Sequence, residues 1–398
     1  MKNLLKDAEN LREKLVKHRR YLHENAELGF DLPKTCAYVE KTLRALGYAP
    51  KKCGRAGLIA TVGDPESKPA VLLRADMDGL PIEENSGEPF ACKTGNMHAC
   101  GHDLHTAMLL GAAELLKREE KRLKGCVKLL FQPAEEILAG AKDCLKKGLL
   151  DGVKPKCAVM LHVMTDLPLK TGTAIVSSAG VSAPAADFFR ITVQGKGCHG
   201  STPWQGVDAL AVGAHILSGL QTLSAREIPA GANAVLTVGS LQAGQAGNVI
   251  ADRGVLNGTL RTFDEGVRTQ IKARIKELAH MQAKAFRATA KTEFLSGCPT
   301  LVNDGGVSDF AYQTAKSLLG EKRAFTSAEL SGGEVGKTGG SEDFAYISHE
   351  IPSVMVAFSA GEREKGYAYP LHHSKARFDE DVLPIGAAFL TAFALGIK

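Results

Sequence analysis

Ala70-Val-Leu-Leu-Arg-Ala75 runs directly into Asp76-Met77-Asp78. A short apolar run of this kind reads as a strand buried on both faces, as in a parallel sheet covered by helices. Two later stretches have the same form. Cys126-Val-Lys-Leu-Leu-Phe-Gln132 ends at Pro133-Ala134-Glu135-Glu136, and Cys157-Ala-Val-Met-Leu161 ends at His162. Gly57-Leu-Ile-Ala-Thr-Val-Gly63 adds another strand. Helical patterns over 2–25, 34–47 and 104–120 alternate with them, with Pro33 near the start of the second. The expected class is α/β with a mostly parallel sheet.

The pattern changes after residue 180. Asp187-Phe-Phe-Arg-Ile-Thr-Val-Gln194 alternates as a half-exposed strand does. A helix over 206–225, strands 234–239 and 254–261, and a long amphipathic helix over 264–285 follow. This β-α-β-β-α order predicts a separate α+β, ferredoxin-like module over 181–294. It interrupts a discontinuous domain made of 1–180 and 295–398, which closes with the strand Ser353–Phe358 and a helix over 381–396.

Composition narrows the function classes. The 398 residues carry 49 basic and 44 acidic side chains, interspersed, for a net charge of +5. Without a basic block, nucleic acid is not an expected partner. No apolar run approaches 18 residues, so no membrane span is expected. The charged, helix-like N-terminus lacks a signal core. Nine cysteines at irregular spacing suit free thiols in a reducing compartment, and hence a cytoplasmic protein.

Ligands of open α/β sheets bind beyond the carboxyl ends of the strands. Asp76/Asp78, Glu135/Glu136 and His162 each fall at such an end. Cys100-Gly101-His102, within Met97-His-Ala-Cys-Gly-His-Asp-Leu-His105, leads into a helix at the same rim. Thiolate, imidazole and carboxylate together suit zinc or a neighbouring transition metal. Glu135-Glu136 admits two readings: acids favoured in a first helical turn, or one metal-binding carboxylate beside a general base. His372-His373 in a loop, and His199 between glycines in the inserted module, are open on the residues alone.

Taken together, these residues resemble the metal-dependent aminoacylase and carboxypeptidase family. The resemblance also rests on Arg74-Ala-Asp-Met-Asp-Gly-Leu-Pro81, Gln132–Glu136, Gly197-Cys-His-Gly200, Asn248-Val-Ile250, Gly258-Thr-Leu-Arg261, Gly340-Ser-Glu-Asp-Phe344 and Leu371-His372. The branch is that of hippurate hydrolases, N-acyl-amino-acid amidohydrolases and plant auxin-conjugate hydrolases, and the likeness runs from about residue 12 to 396. It implies two divalent ions per subunit (zinc, manganese, cobalt or nickel) held by Cys100, His102, Glu136, His162 and His372, with Glu135 as general base. It also implies that Asp78 orients a ligand and that Asp76, Asp103 and His105 support the site. In the inserted module it implies that His199 polarises the scissile carbonyl and that Asn248 and Arg261 lie near substrate. The module itself is implied to act as lid and dimerisation domain, in a homodimer or homotetramer.

The expected reaction is hydrolysis of the amide of an N-acyl amino acid or short peptide-like conjugate. Alternatives are a dipeptide carboxypeptidase, an N-acetyl-diaminopimelate deacetylase, a thiol hydrolase using Cys100, or a non-catalytic metal-binding protein. The chain departs from the family pattern at Trp204, at Ala251 and in the run Ser331–Gly340, which bears on substrate preference and not on the implied ligands.

Overall fold

The computed structural model describes residues 2–64, 70–152, 154–332 and 339–397; most of the unusual run Ser331–Gly340 lies outside them. Before the insert the chain forms helices α1 (Lys2–Glu9), α2 (Arg12–Glu24), α3 (Pro33–Ala45), α4 (His102–Arg118) and α5 (Gly140–Lys146). The strands there are β1 (Lys51–Cys53), β2 (Gly57–Val62), β3 (Ala70–Asp76), β4 (Cys126–Gln132), β5 (Cys157–Met164), β6 (Ala174–Val176) and β7 (Gly180–Ala183). Next come β8 (Ala185–Gln194), β9 (Cys198–His199), α6 (Ala209–Arg226), β10 (Ala234–Ala243), β11 (Val249–Ile250), β12 (Arg253–Thr262), α7 (Glu265–Ala285) and β13 (Thr289–Cys298). The chain closes with β14 (Leu301–Asn303), α8 (Gly305–Leu319), β15 (Ala324–Thr326), α9 (Ser327–Leu330), α10 (Ala345–Ser348), β16 (Ser353–Ser359) and α11 (Val382–Gly396).

The chain divides into two compact units, one from residues 1–182, 302–336 and 342–398, the other from 183–301 and 337–341. In the first, an eight-stranded sheet has the order β1-β2-β4-β3-β5-β16-β6-β15 among the described residues. Its centre is parallel: β4, β3, β5 and β16 run together, while β2 joins β4 and β6 joins β16 antiparallel. The sheet is thus mixed at its flanks and mostly parallel in the middle.

Strand pleat decides what each side chain does. Val71, Leu73 and Ala75 of β3, Val127, Leu129 and Phe131 of β4, and Val159, Leu161 and Val163 of β5 enter one hydrophobic core with α4 and α11. The alternate positions, among them Arg74, Asp76, Gln132 and His162, are also buried but lie outside that core. Successive strand residues point to opposite faces, so one face of the sheet is oil and the other carries chemistry near its carboxyl edge. Register places Asp76 opposite Gln132 and Arg74 opposite Met160.

The second unit packs α6 and α7 on an antiparallel sheet of order β10-β12-β8-β13, around a core that includes Phe189, Ile191, Ile216, Leu256 and Ile271. Its last strand, β13, extends to Cys298, beyond residue 294, the expected end of the inserted module. The other differences are local. The first helix is two, α1 and α2. β5 continues to Met164, so His162 stands inside the strand rather than after it.

Candidate metal centre

The cluster is built where β3, β4 and β5 end and α4 begins. Gly101 precedes α4 with φ of +84°, a conformation open to glycine at little cost. A Cβ there would stand 2.3 Å from Cγ2 of Val163. That close approach to β5 brings Cys100 Sγ to 3.5 Å from Nε2 of His162.

Each ring is aimed by its other nitrogen. His162 Nδ1 donates to the Val163 carbonyl at 2.7 Å and His102 Nδ1 to the Asp78 carbonyl at 2.8 Å. Both Nε2 atoms therefore keep their lone pairs, the arrangement that second-sphere bonds impose on metal-binding histidines. His102 Nε2 is buried and has no hydrogen-bond partner, and Oε1 of Glu136 is in the same condition. They lie 3.8 Å apart. His372 enters from a backbone with φ of +63°, and its Nε2 lies 3.6 Å from Oε2 of Glu136.

Donor atoms of Cys100, His102 and His162 lie within 4.8 Å of one another, and so do those of Cys100, Glu136 and His372. The two groups share the thiol and together contain all five ligands implied by the resemblance. His102, Glu135 and Glu136 form a further group. Asp76, His102 and His105 also cluster, but His105 has no lone pair to spare. Its Nδ1 donates to Asp76 Oδ1 at 2.6 Å and its Nε2 accepts the Val163 N–H at 2.8 Å.

The glutamate pair does not open a helix; α5 starts only at Gly140. Instead Asp78 clamps a turn, its two carboxylate oxygens accepting the N–H groups of Glu135 (2.9 Å) and Glu136 (3.2 Å). Ala134 and Leu138 both adopt left-handed φ, 57° and 54°, a conformation that costs an L-residue roughly 1–2 kcal/mol each. The turn closes so tightly that a Cβ on Gly140 would stand 1.6 Å from the Pro133 carbonyl oxygen. Gly140→Ala is expected to destabilise the fold by about 3 kcal/mol or more, the upper end for overpacking, with a parallel loss of bound metal. Denaturant titration with elemental analysis checks both.

Behind the turn lies a network that the sequence reading did not assign. The buried Arg74 guanidinium donates to Gln132 (2.9 Å), Asp76 (2.7 Å), Glu342 (2.8 Å) and Asp343 (3.0 Å). Asp343 also accepts from Gln132 (2.6 Å) and from the Ala141 N–H (2.9 Å). Its own N–H reaches Glu135 Oε1 at 3.4 Å. The available sign was an Arg inside an apolar strand, which has to find carboxylates once buried.

Asp103 faces away from the cluster: Oδ2 accepts from Arg19 (2.8 Å) and His23 (2.9 Å), fastening the start of α4 to α2.

The electrostatics are those of a site built for cations. Burial, then the charges of Glu342 and Glu136, push Glu135 well above the carboxylate range. Burial raises Glu136 to about 7 and lowers His162 to about 3. It also lifts the Cys100 thiol far above its usual range, which makes the bare thiol a poor nucleophile. A bound divalent ion inverts that direction, since coordination deprotonates a thiol outright. Burial also lowers His372, whereas against burial the charge of Asp76 raises His102. Orphaned imidazole and carboxylate atoms and crowded acids fit divalent ions that accept S, N and O ligands.

The remaining candidates belong to the second unit. His199 lies on β9 opposite Val249 of β11. Asn248 is exposed, and its carbonyl accepts the Gly200 N–H at 2.7 Å. Arg261, on β12, stacks 5.2 Å from the Phe188 ring centroid and leaves Nη1 buried without a hydrogen bond.

A mostly parallel sheet whose ends gather thiol, imidazole and carboxylate donors beside a spare buried carboxyl defines a metal-dependent hydrolase. The chain belongs to Peptidase family M20/M25/M40, whose model matches residues 72–396. It is 36% identical over 383 residues to N-acetyl-L-cysteine deacetylase of Bacillus subtilis (strain 168), covering 96% of this chain and 87% of that one. It is 36% identical over 390 residues to IAA-amino acid hydrolase ILR1-like 2 of Arabidopsis thaliana, covering 96% and 84%. A solved Bacillus subtilis protein described as a dinuclear metal binding peptidase superposes with a TM-score of 0.78 at 32% identity, over 97% of this chain and 98% of that one. The protein is accordingly a metal-dependent amidohydrolase. No helix among the described residues is long and apolar enough to cross a membrane.

Proposed function

We propose that the protein hydrolyses the amide joining an acyl group to an amino acid, with Glu135 as general base and then general acid. The observation that carries this is the position of Glu135. Its carboxyl is 6% exposed, with one oxygen 4.0 Å from the unpartnered His102 Nε2 and the other near the Asp343 N–H. A carboxyl with a raised pKa beside a cation site suits taking a proton near neutral pH and returning it.

Bound divalent ions supply Lewis acidity and positive charge at the cluster. Cys100, His102, Glu136, His162 and His372 hold them. Asp78, through its carbonyl and its carboxylate, sets the His102 ring and the glutamate turn, and Asp76 and His105 brace that arrangement. Glu135 removes a proton from the attacking water and delivers it to the leaving amine. His199 donates a hydrogen bond to the carbonyl oxygen as negative charge develops on it, a contribution of several kcal/mol in comparable sites. Asn248 and Arg261 orient the amino-acid portion of the substrate. The names of both curated relatives, a deacetylase and an amino acid hydrolase, support this substrate class. No disulfide links the cysteines, which supports a cytoplasmic site of action, and we assign residues 183–301 to lid and self-association in a homodimer or homotetramer.

The test is a panel of N-acetyl and N-benzoyl amino acids and dipeptides, offered to protein reconstituted with zinc or manganese. N-acyl amino acids are expected to turn over, with loss on chelation and recovery on adding metal back. Turnover confined to dipeptides would refute the assignment. Cys100→Ala is expected to leave the centre substoichiometric in metal by elemental analysis; full occupancy in that variant would remove the thiol from the ligand set.

A further inference from the structure

His199 sits in a turn whose main chain is closed by hydrogen bonds. The Gly200 N–H is tied to the Asn248 carbonyl (2.7 Å), and the Thr202 N–H closes back on the His199 carbonyl (2.9 Å). Within that turn the Ser201 main-chain N–H points at His199 Nδ1 at 3.1 Å, and Ser201 Oγ lies 2.7 Å from the same atom.

A main-chain N–H can only donate, so Nδ1 must present its lone pair. A neutral imidazole carries one ring proton, and which nitrogen holds it follows from the hydrogen bond made by the other. Here the proton is left on Nε2. Asn248, expected to lie near the substrate, takes part in this turn through its main-chain carbonyl.

We propose that Ser201 is a positioning residue that fixes His199 as the Nε2–H tautomer, so that the ring meets the substrate only as a hydrogen-bond donor. The inference rests on the reading of His199 given above and sharpens it: an Nε2–H ring can polarise a carbonyl oxygen, whereas its Nε2 cannot accept a proton from water. Ser201 thereby becomes part of the chemistry without touching the substrate.

The test is a long-range ¹H–¹⁵N correlation spectrum of the full-length, metal-loaded protein labelled at histidine nitrogens, with His199 identified by the signals missing in His199→Gln. The expected spectrum has a pyridine-type Nδ1 and a pyrrole-type Nε2 for His199. Ser201→Ala keeps the main-chain donor and loses the hydroxyl. It is expected to retain the tautomer while its pyridine-type Nδ1 resonance moves as one of two hydrogen bonds is lost, and to lower kcat roughly five- to tenfold, the worth of about one hydrogen bond, with KM little changed. Ser201→Thr, which keeps the hydroxyl, is expected to restore the wild-type resonance and rate. A pyrrole-type Nδ1 in the wild type, or an unmoved Nδ1 resonance in Ser201→Ala, would overturn the positioning role. Undiminished kcat in His199→Gln would instead overturn the reading beneath it, whatever the spectrum shows.

Discussion

Glu135→Gln is expected to cut kcat by roughly 10²- to 10⁴-fold, the range for loss of a general acid–base, while metal content stays at the wild-type level. The amide is nearly isosteric, and the Glu135 N–H bonded to Asp78 is untouched by the change. It removes a carboxyl from a crowd that already includes Glu136, Glu342 and Asp343, so the folded state should be no less stable. Loss of turnover with equal or higher melting temperature is therefore the expected pair of results. Single-turnover kinetics on an N-acyl amino acid and a thermal melt read the pair, and elemental analysis checks the metal content. A variant that retains turnover would return the proton-transfer role to another group.

Arg74→Met is expected to be the most destabilising single change, by about 3–5 kcal/mol, the cost of breaking a buried ion pair by removing one partner. The guanidinium is 1% exposed and donates to three carboxylates and one amide. Burial opposes its charge, but Glu342, Asp76 and Asp343 outweigh burial and hold it firmly protonated. Without it, Asp76 and Asp343 face each other across an apolar side chain. Urea denaturation of the metal-free protein isolates this effect from any change in metal affinity; a loss below 1 kcal/mol would mean the carboxylates take up protons at little cost.

How far the sequence could be read depended on whether a residue's partner was local. β3 and β4 were legible because both of their faces are buried, which writes an unbroken apolar run. Cys100, His102 and the glutamate pair were legible because their residue types and their place after those strands are visible without any partner. His162 was placed one step outside β5: an imidazole looks like a boundary until the pleat shows Val163 and Met164 continuing the strand. β13 escaped because Thr289–Phe294 is mostly exposed or half-exposed and carries no apolar period. The role of Arg74 was illegible because its carboxylate partners, Glu342 and Asp343, stand 268 and 269 positions away. A lone Arg in a strand announces only that partners must exist. Likewise the tautomer of His199 depends on a turn geometry that Gly-Cys-His-Gly does not spell out.

That long span has a consequence for how the enzyme comes into being. The first half of the polypeptide already holds Cys100, His102, Glu136, His162 and the Asp78 clamp, yet Glu342 and Asp343, which complete the Arg74 network behind the turn, come much later, and His372 later still. During synthesis the ribosome must deliver the entire inserted module before the centre can be finished. A nascent chain short of that point has the carbonyls that aim His102 and His162 and the Asp78 clamp on the glutamate turn, but lacks His372 and the carboxylate partners of Arg74.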